Sequence, residues 1–203
     1  MNPEFSSAGA PRLQWADAAA KLRFFYAVWP DATARSALAA AAADAARRTG
    51  GRPTRTANLH LTLAFVGAVP AERIDTLRTV GAAAAAATAP CTFCLDHSGT
   101  FRDTGTLWLG ASTAPPALVG LASALGERLG EAGLRVERRA FRPHVTIVRR
   151  CSQPLAGELP APIRWAIDML TLVTSELRVD GPRYAVVERW PLAGGDRSST
   201  GTV

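Results

Sequence analysis

The chain has 203 residues, 48% hydrophobic and 20% charged, a balance that suits a folded domain and excludes a wholly disordered chain. Its net charge is +6, with every cationic residue except Lys21 an arginine, which permits an anionic partner such as nucleic acid without requiring one. No apolar run reaches the roughly 20 residues of a membrane-spanning helix, and three cysteines give no disulfide framework, so the expectation is no membrane association and a reducing cytoplasm.

Residues 1–20 carry no apolar periodicity and neither the basic start nor the apolar stretch of a secretory signal. The Asn-Pro-Glu-Phe stretch there reads as a cloning scar, so the segment is set aside as an unfolded extension. Leu22 to Trp29 is rich in aromatic residues and reads as a strand. Pro30-Asp31 opens an alanine-rich helix with Asp31 as N-cap and Gly50 as its stop. Leu59 to Val66 is the second strand, and Pro70 starts a helix that ends before Pro90. Cys91 to Asp96 and Thr106 to Ala111 read as strands. Pro115-Pro116 leads into a helix with Leu118, Leu121, Leu125 and Leu129 on one face. Phe141 to Val148, Ile167 to Leu177 and Tyr184 to Trp190 complete the strands. From residue 194 the chain is a Gly/Ser/Thr-rich tail, leaving a single working domain over 21–193. Helices and strands intermix without a regular strand–helix repeat or a glycine-rich nucleotide loop, which predicts an α+β fold.

Two of these strands share a pattern. His60-Leu61-Thr62-Leu63 and His144-Val145-Thr146-Ile147 use two of the three histidines in the chain. Side chains alternate across a strand, so each histidine and the threonine two positions on share a face. Leu59, Leu61, Leu63 and Phe65 then face the core in the first copy, as do Val145 and Ile147 in the second. The two copies lie about half a working domain apart, which suggests two similar lobes facing each other.

On these motifs the sequence resembles the 2H phosphoesterases, specifically the bacterial and archaeal RNA 2′,3′-cyclic phosphodiesterases formerly called 2′-5′ RNA ligases. The opening strand RFFYAV, the flanks NLHLTLAFVG and FRPHVTIVRR, LWLG at Leu107 to Gly110, and the closing RYAVVERWPL carry the resemblance. It implies a bilobal α+β fold with two pseudo-symmetric antiparallel sheets lining a central cleft and helices packed outside. It also implies opening of RNA 2′,3′-cyclic phosphate ends to 2′-phosphates without a metal or other cofactor, with reversible ATP-independent 2′-5′ ligation by the same site. His60, His144, Thr62 and Thr146 are then the catalytic set, with His144 as base and His60 as acid.

Histidine suits both roles, because its pKa near 6.5 lets it give or take a proton at neutral pH. The two threonine hydroxyls would hydrogen-bond the non-bridging phosphate oxygens. The resemblance names Arg149 as phosphate ligand. Strict alternation from His144 instead puts Val148 and Arg150 on the catalytic face, so either the strand bulges near Val148 or Arg150 is the ligand. Arg52, Phe25 and Trp108 are candidate RNA-binding residues, with Phe24 and Trp29 as further stacking aromatics. The faces of the first strand are not distinguishable from sequence. Arg135, Arg138, Arg139 and Arg142 could steer RNA, or form a solvated face balanced by Glu131 and Glu137.

Cys91-x-x-Cys94-x-x-His97 is a poor metal motif, because residues three apart on a strand face opposite ways and a structural zinc needs four ligands; no metal is expected, and His97 reads as a loop-edge residue. The expected partner is RNA with a cyclic phosphate end, tRNA fragments among the candidates, bound by a monomer. Small cyclic phosphates such as ADP-ribose cyclic phosphate or a cyclic nucleotide, 2′-5′ oligoadenylate, and a noncatalytic RNA-end-binding role are the alternatives.

Overall fold

The computed structural model describes residues 22–134, 140–178 and 181–193. The 1–20 extension, the tail from 194, and Arg135, Glu137, Arg138 and Arg139 of the basic run lie outside the described residues. Among those described are three helices and nine strands in one antiparallel arrangement. None of the helices is long and apolar enough to cross a membrane.

The strands are β1 (Leu22–Val28), β2 (Arg52–Pro53), β3 (Leu61–Val69), β4 (Cys91–Phe101), β5 (Thr106–Gly110), β6 (His144–Arg149), β7 (Gly157–Ile167), β8 (Met169–Arg178) and β9 (Gly181–Pro191). Their spatial order is β7-β4-β5-β6-β3-β1-β8-β9, with β2 added alongside β6. Four strands lie on either side of the β6–β3 junction, and that junction is a single register pair, Leu61 with Val145. The two expected sheets are therefore two halves hydrogen-bonded at their meeting point. The strands that meet there carry the two His-x-Thr motifs.

The helices α1 (Ala32–Thr49), α2 (Ile74–Ala86) and α3 (Pro116–Glu131) all cover one face. Helix α1 packs on β6 and β7, α2 on β8, β9 and α3, and α3 on β3. Helix α1 starts where Asp31 accepts a hydrogen bond from the Ala34 amide at 2.8 Å and ends at Gly50 with φ 66°, as its sequence predicts. Leu118, Leu121, Leu125 and Leu129 are all fully buried, which places the predicted apolar stripe of α3 in the core.

The faces of β1 are resolved by burial. Phe24, Tyr26 and Val28 join the helix-covered core, and the Tyr26 hydroxyl donates to the Leu77 carbonyl at 2.6 Å. Phe25 and Ala27 lie on the opposite, uncovered face with Val173. Strand β7 has no counterpart in the expected elements. It carries Pro160 and Pro162, which lack an amide donor. Strand β7 tolerates them because it is a sheet edge, and they fall where its ladder with β4 breaks, between the Ile163–Leu95 and Glu158–His97 pairs. Strand β4 runs five residues beyond its expected end, so His97 is a mid-strand residue rather than a loop-edge one.

Candidate active site

The uncovered face holds both motifs. His60 Nδ1 lies 2.7 Å from the Asn58 carbonyl, and His144 Nδ1 lies 2.7 Å from the Arg142 carbonyl, in each case two residues back along the chain. A carbonyl only accepts, so both rings carry the proton on Nδ1 and turn Nε2 toward the cleft. Two histidines in different halves are thus oriented by the same local device. Thr62 and Thr146 share the face with their histidines and are half-buried, while Leu61 and Val145 behind them are fully buried.

The two rings sit in different surroundings. His60 is boxed by Phe25, Trp29 and Tyr184, whose ring centroids lie 5.1, 5.1 and 5.2 Å away, the indole stacked and the phenol edge-on. Burial, followed by the positive charges of Arg149 and His144, pushes its pKa down to about 4, against the opposing hydrogen bond to the Asn58 carbonyl. His60 is therefore neutral at pH 7. His144 is more open, with Phe101 at 5.5 Å and Trp108 at 6.2 Å.

The register of β6 bears on the choice between Arg149 and Arg150. Trp108 pairs with Thr146 and Leu107 with Val148, so Ile147 has no partner on β5 and forms a bulge. Ile147 and Val148 are both buried, and the alternation resumes one residue late. Arg149 returns to the face of His144 and Thr146, and its charge acts on both His60 and Tyr184. Arg150 lies past the strand end with φ 58°. Arg52 is exposed and sits in register opposite Arg149, so two guanidinium groups flank the same strand end.

Phe25 requires correction: it is only 3% exposed, so it backs the His60 ring and is not available to stack a base. Phe24 is buried in the helix-side core. Phe65 is also corrected. Its expected core position is displaced by register shifts between β1 and β3, and it is 56% exposed, opposite Phe25. Trp108 forms the floor of the other half, where a Cβ on Gly99 would sit 2.4 Å and one on Gly110 2.7 Å from its ring.

Trp29, named only as a stacking aromatic, instead lies against His60. Tyr184, Phe101 and Asp96 were not anticipated at all. Tyr184 and Phe101 come from strand ends far along the chain, and no local pattern announces them. Among the described residues no group of three or more His, Cys, Asp or Glu is placed to hold a metal, and Cys91, Cys94 and Cys151 are free thiols.

Known proteins are similar to this chain. A chain from Thermus thermophilus, "RNA 2′,3′-cyclic phosphodiesterase", is 33% identical over 181 residues, spanning 85% of this chain and 91% of its own. One of the same description from Escherichia coli is 34% identical over 145 residues, 70% and 80% of the two chains. The crystal structure of Escherichia coli LigT complexed with 3′-AMP superposes with a TM-score of 0.77 at 29% identity, over 85% of this chain and 98% of that one. The model of the 2′-5′ RNA ligase superfamily matches residues 30–178, a stretch that contains both His-x-Thr strands, and the chain belongs to that superfamily.

Proposed function

We propose that this protein hydrolyses RNA 2′,3′-cyclic phosphate ends to 2′-phosphates. The observation that carries the reading is the matched pair of histidines on β3 and β6, each anchored through Nδ1 so that Nε2 faces one cleft. Relatives at 33–34% identity that bear the name RNA 2′,3′-cyclic phosphodiesterase support it.

In the reaction, the oxygen of water attacks phosphorus while the bond from phosphorus to O3′ breaks. One histidine takes the proton from water and the other supplies a proton to O3′, leaving a 2′-phosphate and a 3′-hydroxyl. His144 is the base and His60 the acid. By itself His60 is neutral at pH 7, so it acquires its proton when the phosphate arrives. The anion's charge favours the imidazolium and opposes the burial and the Arg149 charge that keep the ring neutral. The Thr62 and Thr146 hydroxyls donate to the non-bridging oxygens, and Arg149 neutralises the charge that builds on them.

Arg149 is favoured over Arg150 as phosphate ligand because the Ile147 bulge turns Arg149 onto the catalytic face. Arg52, opposite it, extends the cationic strand end, since like charges in register repel unless an anion lies between them. With a 5′-hydroxyl in place of water as nucleophile, the same site would join it to a cyclic phosphate end, O3′ leaving as before and a 2′-5′ linkage remaining. The working unit is residues 21–193, acting as a monomer on RNA fragments, tRNA pieces included, in the cytoplasm.

The test uses a short RNA ending in a 2′,3′-cyclic phosphate, incubated with the protein in excess EDTA. The expected product is heavier by one water and resists a 3′-phosphate-specific phosphatase. Turnover of small cyclic phosphates alone would move the substrate class away from RNA. Binding of RNA without turnover of any cyclic phosphate would leave a noncatalytic end-binding protein.

A further inference from the structure

The third histidine lies on the catalytic face and has no part in the chemistry above. His97 on β4 pairs in register with Gly110 on β5, and Gly110 pairs in register with His144 on β6. Cross-strand partners share a face, so His97 and His144 lie two strand spacings apart, about 10 Å, with Gly110 between them in the ladder and the Trp108 indole lying over it. A Cβ at Gly110 would sit 2.7 Å from the Trp108 ring and 3.2 Å from His97 Nε2, so that nitrogen lies beside the indole over the glycine. The surroundings of that nitrogen are aromatic. Trp108 meets the His97 ring edge-on at 5.4 Å, and Phe101 lies 5.6 Å from Trp108 and is 40% exposed.

His97 is also fixed in orientation. Its Nδ1 lies 2.8 Å from Asp96 Oδ1, and that carboxylate accepts from the Ser112 amide at 2.8 Å and from the Ser112 hydroxyl. The Ser112 and His97 hydrogen bonds hold the Asp96 carboxyl down at about 2, so it is ionised and only accepts. The imidazole must therefore donate from Nδ1, and in the neutral ring Nε2 carries the lone pair. Glu158 on β7 pairs with His97 from the other side. With two carboxylates beside the ring, a second phosphate is repelled, and a neutral hydrogen-bond donor is the group that fits.

We propose that His97 reads the base of the terminal nucleotide, accepting at Nε2 a hydrogen bond from the exocyclic amino group of adenine or cytosine while the base lies against Phe101 and Trp108. Guanine and uracil present a carbonyl oxygen at the corresponding position and are discriminated against. This rests on the phosphodiesterase reading above.

The experiment compares the full chain with His97→Ala and His97→Gln on the four 2′,3′-cyclic mononucleotides at about pH 8, above the ordinary range of imidazole protonation. The expected wild-type kcat/KM for adenine and cytosine exceeds that for guanine and uracil by about tenfold, the worth of one hydrogen bond. His97→Ala removes the preference by lowering only the adenine and cytosine values. His97→Gln, which keeps an oxygen acceptor, retains part of it. An equal loss on all four bases would assign His97 a merely structural role, and an unchanged preference would remove it from recognition; either overturns the proposal. A wild-type protein inert on all four and on cyclic-phosphate RNA would overturn the activity itself, and this inference with it.

Discussion

Thr62 Oγ1 lies 3.0 Å from His60 Nε2. Because His60 donates from Nδ1 to the Asn58 carbonyl, Nε2 is the acceptor here and the threonine hydroxyl donates to it. This bond ties together the two groups that the proposed mechanism turns to a bound phosphate. When the substrate enters, the hydroxyl rotates toward a phosphate oxygen and the imidazole is freed to take a proton.

Replacing Thr62 by valine keeps the shape and removes that hydroxyl. Turnover of cyclic-phosphate RNA is expected to fall about 10- to 100-fold, mainly in kcat, since the bond to the phosphate strengthens as charge develops. Thr146→Val should behave alike. Steady-state kinetics on both variants, with thermal unfolding as a check on the fold, would expose an unaffected kcat and remove the hydroxyl from the chemistry.

His60→Ala and His144→Ala are each expected to lower kcat by at least about 10²-fold, the usual worth of one general acid or base. The double variant should be little worse than either single one, because the two proton transfers belong to one displacement. Multiplicative losses in the double variant would mean that the histidines act in separate steps.

The depressed pKa of His60 has a definite sign. Folded His60 titrates near 4 and the unfolded ring near 6.5, so between these values the unfolded chain binds a proton that the folded chain does not. The ligand-free protein therefore loses stability as pH falls from about 6.5 to 4, by up to roughly 3 kcal/mol from this residue. His60→Asn should show a shallower loss in denaturant unfolding across that window. Inorganic phosphate should raise the His60 midpoint, so phosphate binding takes up a proton and tightens as pH falls. A ring midpoint in NMR titration that phosphate leaves unmoved would remove the acid role from His60.

Arg149→Met removes a cation that acts on His60, so the His60 midpoint is expected to rise while KM for cyclic-phosphate RNA rises about tenfold or more. Arg150→Met, past the strand end, should leave both nearly unchanged. Arg52→Ala should weaken RNA binding less than Arg149→Met does and lower its salt dependence. Equal effects of Arg149→Met and Arg150→Met would undo the role assigned to the Ile147 bulge.

The parts of this molecule legible in its sequence are those governed by short-range periodicity. The capped α1, the leucine stripe of α3 and the shared face of each His-x-Thr pair follow from spacings of two to four residues. What escaped depends on pairing between distant segments. The Ile147 bulge returns Arg149 to the catalytic face, and the register shifts in β3 turn Phe65 outward. Neither is written in the local pattern of the strand concerned, because a bulge is set by both strands of a ladder. Strand β7 was hidden by two prolines that only an edge position permits. The aromatic surroundings of the histidines come from β1, β4, β5 and β9, whose order across the sheet does not follow their order in the chain.

Glycines give the last test, because two of them differ in what a methyl group would meet. Gly110 lies under Trp108, and its Cβ would sit 2.7 Å from the indole and 3.2 Å from His97 Nε2. Gly110→Ala must push the indole off its floor, at a stability cost of about 1–3 kcal/mol, and disturb the wall beside His144. Gly120 is exposed on α3, and nothing lies within 4 Å of its Cβ position. Gly120→Ala removes only backbone freedom from a helix interior and is expected to stabilise by about 0.5–1 kcal/mol without touching turnover. Chemical denaturation and kcat on the two variants read both effects together. If Gly110→Ala kept full activity and stability, the indole would not be pinned by the glycine floor, and Trp108 would lose its place as the wall between His97 and His144.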